Sequence, residues 1–395
     1  MTLLWLYNMP LVAEAGGTER ITSLIAGGLT ARGHRCLGML RIVQGSDQID
    51  CDGETVDDLY RFLADNHVDV VINQMAYDDW LLQAFLNRGG DRWRREGGRI
   101  ISCLHFDPRP LSSFYFLSTI RRKTPRQYVS LARAWLFRRS DLRRQERRLA
   151  DLYRRVYSLS DSYVLLSERH FPYFKKITAL GDYSRLTAIN NPLTFPEIAG
   201  PEILDRKKKV VLVCARMDEY YKRISLVLRA WKALYSIKAP RSGAHENFSD
   251  WQLKIVGDGP DLDRFRDLAR RLRLRNITFC GRQSPEAYYR EASIFLLTSV
   301  SEGWGLTLTE SLQFGVVPVV MDTSPVYADI IRDGYNGFLS PGSNLRAFTR
   351  RVARLMADPA LLHRMQLNAL ESASQFTLSA AVDRWLALLA PAGEF

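Results

Sequence analysis

Apolar residues recur along this chain in two rhythms, and their alternation predicts the architecture. Short continuous apolar runs appear at TLLWLYN, CLGMLRI, VDVVINQ and RIISCLH in the first half. A second series follows at KKVVLVCAR, WQLKIVGDG, NITFCGR, ASIFLLTSV and VVPVVMDT. Runs of this length, bounded by Gly, Pro, Asp or Asn, predict buried strands. Between them lie stretches such as VDDLYRFLADN and ITSLIAGGLTARG, whose apolar positions repeat at threes and fours and predict helices. RVYSLS, YVLLS and LTAINNPLTFPE read as strands closing the first half. Strand and helix alternating in this way imply an α/β fold of parallel sheets covered by helices on both faces.

The two series are separated by residues 192–201, with prolines at 192, 196 and 201 and a glycine at 200, which reads as a linker. At 395 residues the chain is too long for one ordinary core. The expected division is 1–195, carrying a basic insertion at 109–155, then 196–378, then a terminal apolar helix over 379–395. Two parallel-sheet halves joined by a linker imply a cleft between them.

Composition adds limits. With 46% hydrophobic and 25% charged residues the chain reads as soluble and globular. No apolar run approaches the roughly 18 residues of a membrane span, and MTLLWLYNMP lacks a basic leader, so a cytoplasmic protein is expected. Cysteines at 36, 51, 103, 214 and 280 have no metal-ligand spacing, and four of them border or lie in strand-like runs, so they read as reduced core thiols.

Charge changes the picture more. The net +12 is concentrated at 109–155, where fourteen Lys or Arg face three acids. From Tyr128, the residues Leu131, Trp135, Leu142, Leu149, Leu152 and Val156 form one helical stripe, with arginine filling the space between them and Phe114, Tyr115, Phe116 and Phe137 adding aromatics. Two readings fit equally: a helix lying on an anionic membrane surface, and a surface helix packing its stripe on its own domain. No nucleic-acid-binding motif accompanies the charge, so nucleic acid is not expected as a partner.

Candidate chemistry concentrates at SVSEGWGLTLTESL, residues 299–312, after the strand-like run at 294–297. Glu302 falls in a strand-to-helix turn, Gly303 and Gly305 permit close backbone approach, and Glu310 lies one turn into the helix. Two carboxylates then flank a helix start whose free N–H groups suit an anion such as a phosphate. Arg216 and Lys222 border a loop after another strand, where a bidentate guanidinium and a point charge suit a diphosphate. VGDGP at 256–260 reads as a tight turn. Gly16-Gly17-Thr18-Glu19-Arg20, between a strand and a helix, lacks the three-glycine dinucleotide spacing and fits either a plain turn or a ligand cradle. His105 closes the fourth strand of the first half, where structural and ligand-facing roles both remain open.

Taken together and in order, Gly16-Gly17-Thr18-Glu19-Arg20, Arg216 with Lys222, VGDGP, EGWGLTLTE and DIIRDGYNGFL resemble the retaining GT-B glycosyltransferases of glycosyltransferase family 4. The resemblance covers nearly the whole chain, densely in the second half and thinly in the first. It implies two Rossmann-like domains facing across a cleft, with the terminal helix crossing back to the first. It also implies a nucleotide-diphosphate sugar donor, UDP by family frequency, bound mainly by the second domain. By that analogy Arg216 and Lys222 neutralise the diphosphate, Glu310 binds the ribose, and Glu302 and His105 contact the sugar. The amides of Gly305, Leu306 and Thr307 support phosphate and sugar, Gly16 and Gly17 close on the diphosphate, and Arg282 and Gln283 lie near the base. The family's route is same-face attack with retention, so Glu302 is not assigned as a covalent nucleophile. No cofactor and no metal are expected; Asp50-Cys51-Asp52 and Asp261-Leu262-Asp263 resemble a metal-sugar motif only superficially.

The basic window departs from the family pattern by its length and charge, which leaves the acceptor the least determined part. A saccharide or lipid-linked saccharide acceptor in surface polysaccharide or glycoconjugate assembly is expected in a cytoplasmic protein. Peripheral attachment to the inner face of the membrane through 109–155 is one of the two open readings of that window. The alternatives are an inactive GT-B scaffold or binding subunit, against which the four charges Arg216, Lys222, Glu302 and Glu310 argue, and an epimerase or phosphorylase on the same fold.

Overall fold

The computed structural model describes residues 1–8, 16–46, 48–111, 125–235 and 248–390. The chain divides into two compact units, the first comprising Met1–Leu111, Arg139–Thr194 and Phe376–Phe395, the second Ser112–Arg138 and Phe195–Gln375. Phe114, Tyr115 and Phe116 lie outside the described residues.

The first unit holds an eight-stranded sheet: β1 (Thr2–Leu6), β2 (Arg35–Ile42), β3 (Ile49–Cys51), β4 (Glu54–Thr55), β5 (Val70–Asn73), β6 (Arg99–Leu104), β7 (Ser162–Leu165) and β8 (Leu186–Ala188), in the order β4-β3-β2-β1-β5-β6-β7-β8. From β2 to β8 across the sheet every pairing is parallel, and the centre is apolar on both faces, as a helix-covered sheet requires. The far edge differs from the all-parallel expectation. β3 runs antiparallel to both β2 and β4, and Cys51 pairs with Glu54 across the two-residue turn Asp52-Gly53. Both turn residues have positive φ, 50° and 92°, the conformation a primed hairpin turn needs.

RVYSLS is not a strand. It forms the end of the helix Arg138–Leu159, where Tyr153, Val156 and Tyr157 turn inward at helical spacing, and β7 begins only at Ser162. The single stripe expected through the basic window is also broken. One helix spans Pro125–Leu136 and another Arg138–Leu159; the second buries its C-terminal half, while the first leaves Tyr128, Trp135 and Leu136 exposed.

The terminal helix Leu378–Leu389 packs in the first unit against the helix Gly17–Ala31. A Cβ at Gly28 would sit 2.4 Å from Val382, so glycine sets the approach of the two helices. Trp385 meets Trp5 edge to face, and Arg99 donates to the carbonyls of Leu388 and Leu389 at 3.0 and 2.8 Å, completing the helix C-terminus.

The second unit is a six-stranded, wholly parallel sheet: β9 (Val210–Cys214), β10 (Gln252–Val256), β11 (Ile277–Gly281), β12 (Ile294–Leu297), β13 (Val317–Asp322) and β14 (Phe338–Pro341), ordered β11-β10-β9-β12-β13-β14. Its central strands are buried between helices, with Val211, Leu253, Ile294 and Val319 fully enclosed. β14, unanticipated from its sequence, follows the Asn336-Gly337 turn and pairs with β13. The proline-rich run is held at both ends: Leu193 N–H donates to Phe376 O at 2.7 Å in the first unit, and Gln313 Nε2 donates to Phe195 O and Glu197 O, each at 2.7 Å, in the second. All five cysteines sit in strands as free thiols.

Candidate active site

Because every strand of the second sheet is parallel, the segments leaving β9, β10, β11 and β12 emerge on one rim. Arg216 stands exposed just beyond β9. Asp218 then caps the short helix Glu219–Lys222, accepting from the Tyr220 and Tyr221 amides. Lys222 ends that turn and donates to Glu302 Oε1 at 2.5 Å. The lysine is fixed from behind: Thr298 Oγ1 donates to its carbonyl at 2.8 Å, and Val300 N–H donates to Tyr221 O at 2.8 Å.

Arg223, absent from the sequence-based candidates, secures this junction. It adopts a left-handed backbone, φ 49° and ψ 44°, between two helices. Its guanidinium donates to Thr298 O at 2.8 Å and Ser299 O at 2.9 Å, and to Ser343 Oγ at 2.7 Å. The lysine loop is thus tied to the end of β12, which carries Glu302. Glu219 is buried beside it and accepts from the Ser225 amide and hydroxyl; burial raises its carboxyl above the ordinary range while those bonds oppose the rise.

The helix Leu306–Gln313 starts from Gly305, whose φ of 97° suits glycine, and no side chain caps it. Leu306 and Thr307 occupy its first turn, so their amides are among the helix's unsatisfied donors. Glu310, one turn on, is 3% exposed. Tyr289, from the helix Glu286–Glu291, donates to Glu310 Oε2 at 2.9 Å and reaches Thr307 O at 3.4 Å. Its ring stacks on Phe314 with centroids 5.9 Å apart. Burial, then the neighbouring Cys214 and Glu310, push the Tyr289 phenol well above its usual range, so it stays a donor. Burial and Glu310 raise the Cys214 thiol likewise.

VGDGP has a steric cause. Gly257 has φ 133°, and a Cβ there would lie 1.9 Å from Ala215 O; Gly259 has φ 155° and packs on the Met217 backbone. Met217 N–H donates to Asp258 O and Asp261 N–H to Met217 O, both at 2.9 Å. Arg282 and Gln283 lie on the exposed segment after β11.

In the first unit, Gly16 precedes the helix Gly17–Ala31 in extended conformation, φ −164°. A Cβ at Gly16 would meet Glu19 Oε2 at 2.4 Å, and Tyr7 donates to Glu19 Oε1 at 3.0 Å. The preceding loop lies outside the described residues. His105, just beyond β6, is half-buried and hydrogen-bonded to Gln74, and loss of solvation pushes it down to about 4. It is therefore a neutral imidazole near pH 7. His105 and Gln74 line a small cavity with Trp5, Asn190, Asn191 and Trp385. Two residues on, Asp107 is buried and receives the Arg109 guanidinium and amide. Burial alone would raise its carboxyl, but Arg109, with His170 nearby, holds it below the usual range.

The two superficial metal motifs have other partners. Asp50 pairs with Arg41 at 2.9 Å, and Asp261 accepts the Glu219 amide at 2.9 Å. Tyr289, Arg223 and the Asp107–Arg109 pair were missed by sequence reasoning. Only Asp107 had a usable signal, an acid two residues from His105 at a strand's carboxyl end.

Residues 195–372 match the sequence model described as glycosyl transferases group 1. An uncharacterized glycosyltransferase of Haemophilus influenzae is 24% identical over 52% of this chain and 55% of its own length. The lipopolysaccharide 1,6-galactosyltransferase of Salmonella typhimurium is 28% identical over 40% of this chain and 43% of its own. The matched segments thus span about half the length of these relatives. Among solved structures, Anabaena HepE in complex with UDP superposes with TM-score 0.65 at 13% identity, covering 98% of this chain and 99% of that one. The apo lipopolysaccharide outer core galactosyltransferase WaaB gives TM-score 0.64 at 16% identity, covering 98% of both chains. The second unit thus resembles the glycosyl transferases group 1 in sequence, and the two parallel-sheet units share the GT-B fold with these glycosyltransferase structures.

Proposed function

We propose that the protein is a retaining glycosyltransferase, moving a sugar from a UDP-sugar to a saccharide or lipid-linked saccharide acceptor in surface polysaccharide or glycoconjugate assembly. The observation that carries the reading is the Lys222–Glu302 pair on the same rim as exposed Arg216 and the uncapped helix start before Glu310. Breaking the anomeric bond puts negative charge on the departing diphosphate and positive character on the sugar. Arg216, Lys222 and the Leu306 and Thr307 amides suit the first, and the Glu302 carboxylate suits the second.

In this scheme the diphosphate takes Lys222 over from Glu302, releasing Glu302 to face the sugar. Glu310, its carboxylate steadied by Tyr289, accepts from the ribose hydroxyls. The bond from the anomeric carbon to the diphosphate breaks, the acceptor oxygen bonds to the same face of that carbon, and the acceptor's proton passes to a diphosphate oxygen. The positive charge that offsets the leaving group's negative charge is supplied by Arg216 and Lys222, so the scheme calls for no metal. UDP is favoured because HepE and the pneumococcal O-GlcNAc transferase GtfA, of the same fold, were solved holding UDP. The galactosyltransferase relatives named for lipopolysaccharide favour a saccharide acceptor.

Thermal melting and donor hydrolysis with a panel of nucleotide sugars test this. A UDP-sugar should raise the melting temperature of the wild type, and not that of Lys222→Ala or Glu310→Ala. Absence of any stabilising nucleotide sugar would sink the donor assignment.

A further inference from the structure

The helix Pro125–Leu136 is amphipathic, yet it shows its apolar side to solvent. At about 100° per residue, Tyr128, Ala132 and Trp135 share one face, flanked by Val129 and Leu136, with Arg133 and Arg126 next around the helix and Ser130 and Ala134 beyond them. A helix packed in the ordinary sense buries the first set. Here Tyr128 and Val129 are each 61% exposed, Trp135 65% and Leu136 68%, while Ser130 and Ala134 are half-buried. Phe137 extends the exposed patch at 54%. Five neighbouring large apolar side chains facing water mark an interaction surface rather than scattered surface hydrophobes.

The charge around the patch selects its partner. Arg126, Arg133 and Arg138 border it, all exposed. A second copy of this chain would bring the same excess of cations against itself. An anionic bilayer accepts the apolar face at the acyl boundary, seats Trp and Tyr at the headgroups and pairs phosphates with arginine, which matches every component of the patch.

We infer that Tyr128, Val129, Trp135, Leu136 and Phe137, bordered by Arg126, Arg133 and Arg138, form a docking surface for an anionic phospholipid bilayer. The inference is independent of the donor-site reading, since it uses none of those residues.

Flotation of the full chain, without nucleotide, on phosphatidylcholine vesicles with and without phosphatidylglycerol tests it. The chain should float with the phosphatidylglycerol vesicles at low ionic strength and stay behind with phosphatidylcholine alone. Trp135→Ser with Leu136→Ser should lower partitioning at least about tenfold. Arg133→Ala with Arg138→Ala should lower it roughly fivefold per arginine, with a weaker response to salt than the wild type. Unchanged melting temperatures keep either result from being a folding defect, and the arginine variant serves if the apolar one does not fold. No flotation on phosphatidylglycerol at low salt, equal flotation of both variants and wild type, or sedimentation as a dimer that flotation does not accompany would each overturn the inference.

Discussion

Both units place polar chemistry at the carboxyl rim of a parallel sheet, each with a phenol-held carboxylate and a carboxylate–cation pair. They differ in that the first adds a titratable group driven neutral. In the second unit full charges are kept and paired: Lys222 with Glu302, and a buried Glu310 steadied by a phenol. In the first, Glu19 is likewise held by Tyr7 and Asp107 by Arg109, but the ligand-facing candidate His105 is driven neutral beside Gln74. On the proposed function this difference is a division of labour: Lys222 and Arg216 serve the anionic leaving group, and the neutral imidazole of His105 serves uncharged hydroxyls. Equal salt sensitivity of changes in the two halves would break that comparison.

The largest expected effect is on the charged side. Lys222→Ala should reduce sugar transfer on the order of 10²–10³-fold, read as kcat/KM from UDP release. A loss this large from His105→Ala and a small one from Lys222→Ala would reverse the division. Next comes Gly257→Ala, which forces a residue into φ 133° against the Ala215 carbonyl. A destabilisation of at least about 1–3 kcal/mol is expected in urea unfolding. Gly16→Ala, extended and facing the end of the Glu19 side chain, should cost less; equal costs would contradict the rigidity ascribed to the second rim.

Tyr289→Phe keeps the ring and removes the donor to Glu310, so about 1–3 kcal/mol of stability should be lost. Weaker UDP binding should accompany it in calorimetry; unchanged affinity would mean that Glu310 does not depend on the phenol. The smallest effect is on the neutral side. His105 is lowered from 6.5 to about 4, so the folded state binds fewer protons than the unfolded chain between those values. Its contribution is present above about pH 6.5 and lost as pH falls through about 4. Melting of wild type and His105→Gln across that window should converge toward acid pH; parallel curves would remove the histidine from the account.

Much of the second unit was legible because its signals are local. Short apolar runs bounded by glycine turns mark β9 to β13, and the eight-residue spacing of Glu302 and Glu310 needs only one turn and one helix. VGDGP was readable as a turn, although its cause, the Ala215 carbonyl, is tertiary. Tyr289 was hidden because a separate helix brings it to Glu310 across 21 residues of sequence. Arg223 was hidden because a left-handed arginine has no composition signature. In the first unit, RVYSLS misled because β-branched and aromatic residues at the end of a long helix resemble a strand when read in isolation. The Asp52-Gly53 hairpin was missed although its Asp-Gly turn signal is local. Net charge misled in a third way: Arg109, Arg154 and Arg155 belong to the basic window yet are engaged by Asp107, Asp151 and Asp79.

The stitching between residues 215–217 and 256–261 bears on time as well as shape. Since Met217 exchanges backbone hydrogen bonds with Asp258 and Asp261, and Gly257 leaves no room above Ala215, the segment bearing Arg216 cannot swing as a lid. Exposed Arg216 adjusts by side-chain rotation, a picosecond-to-nanosecond motion for exposed rotamers. On the proposed donor reading, an incoming diphosphate meets a backbone already in place.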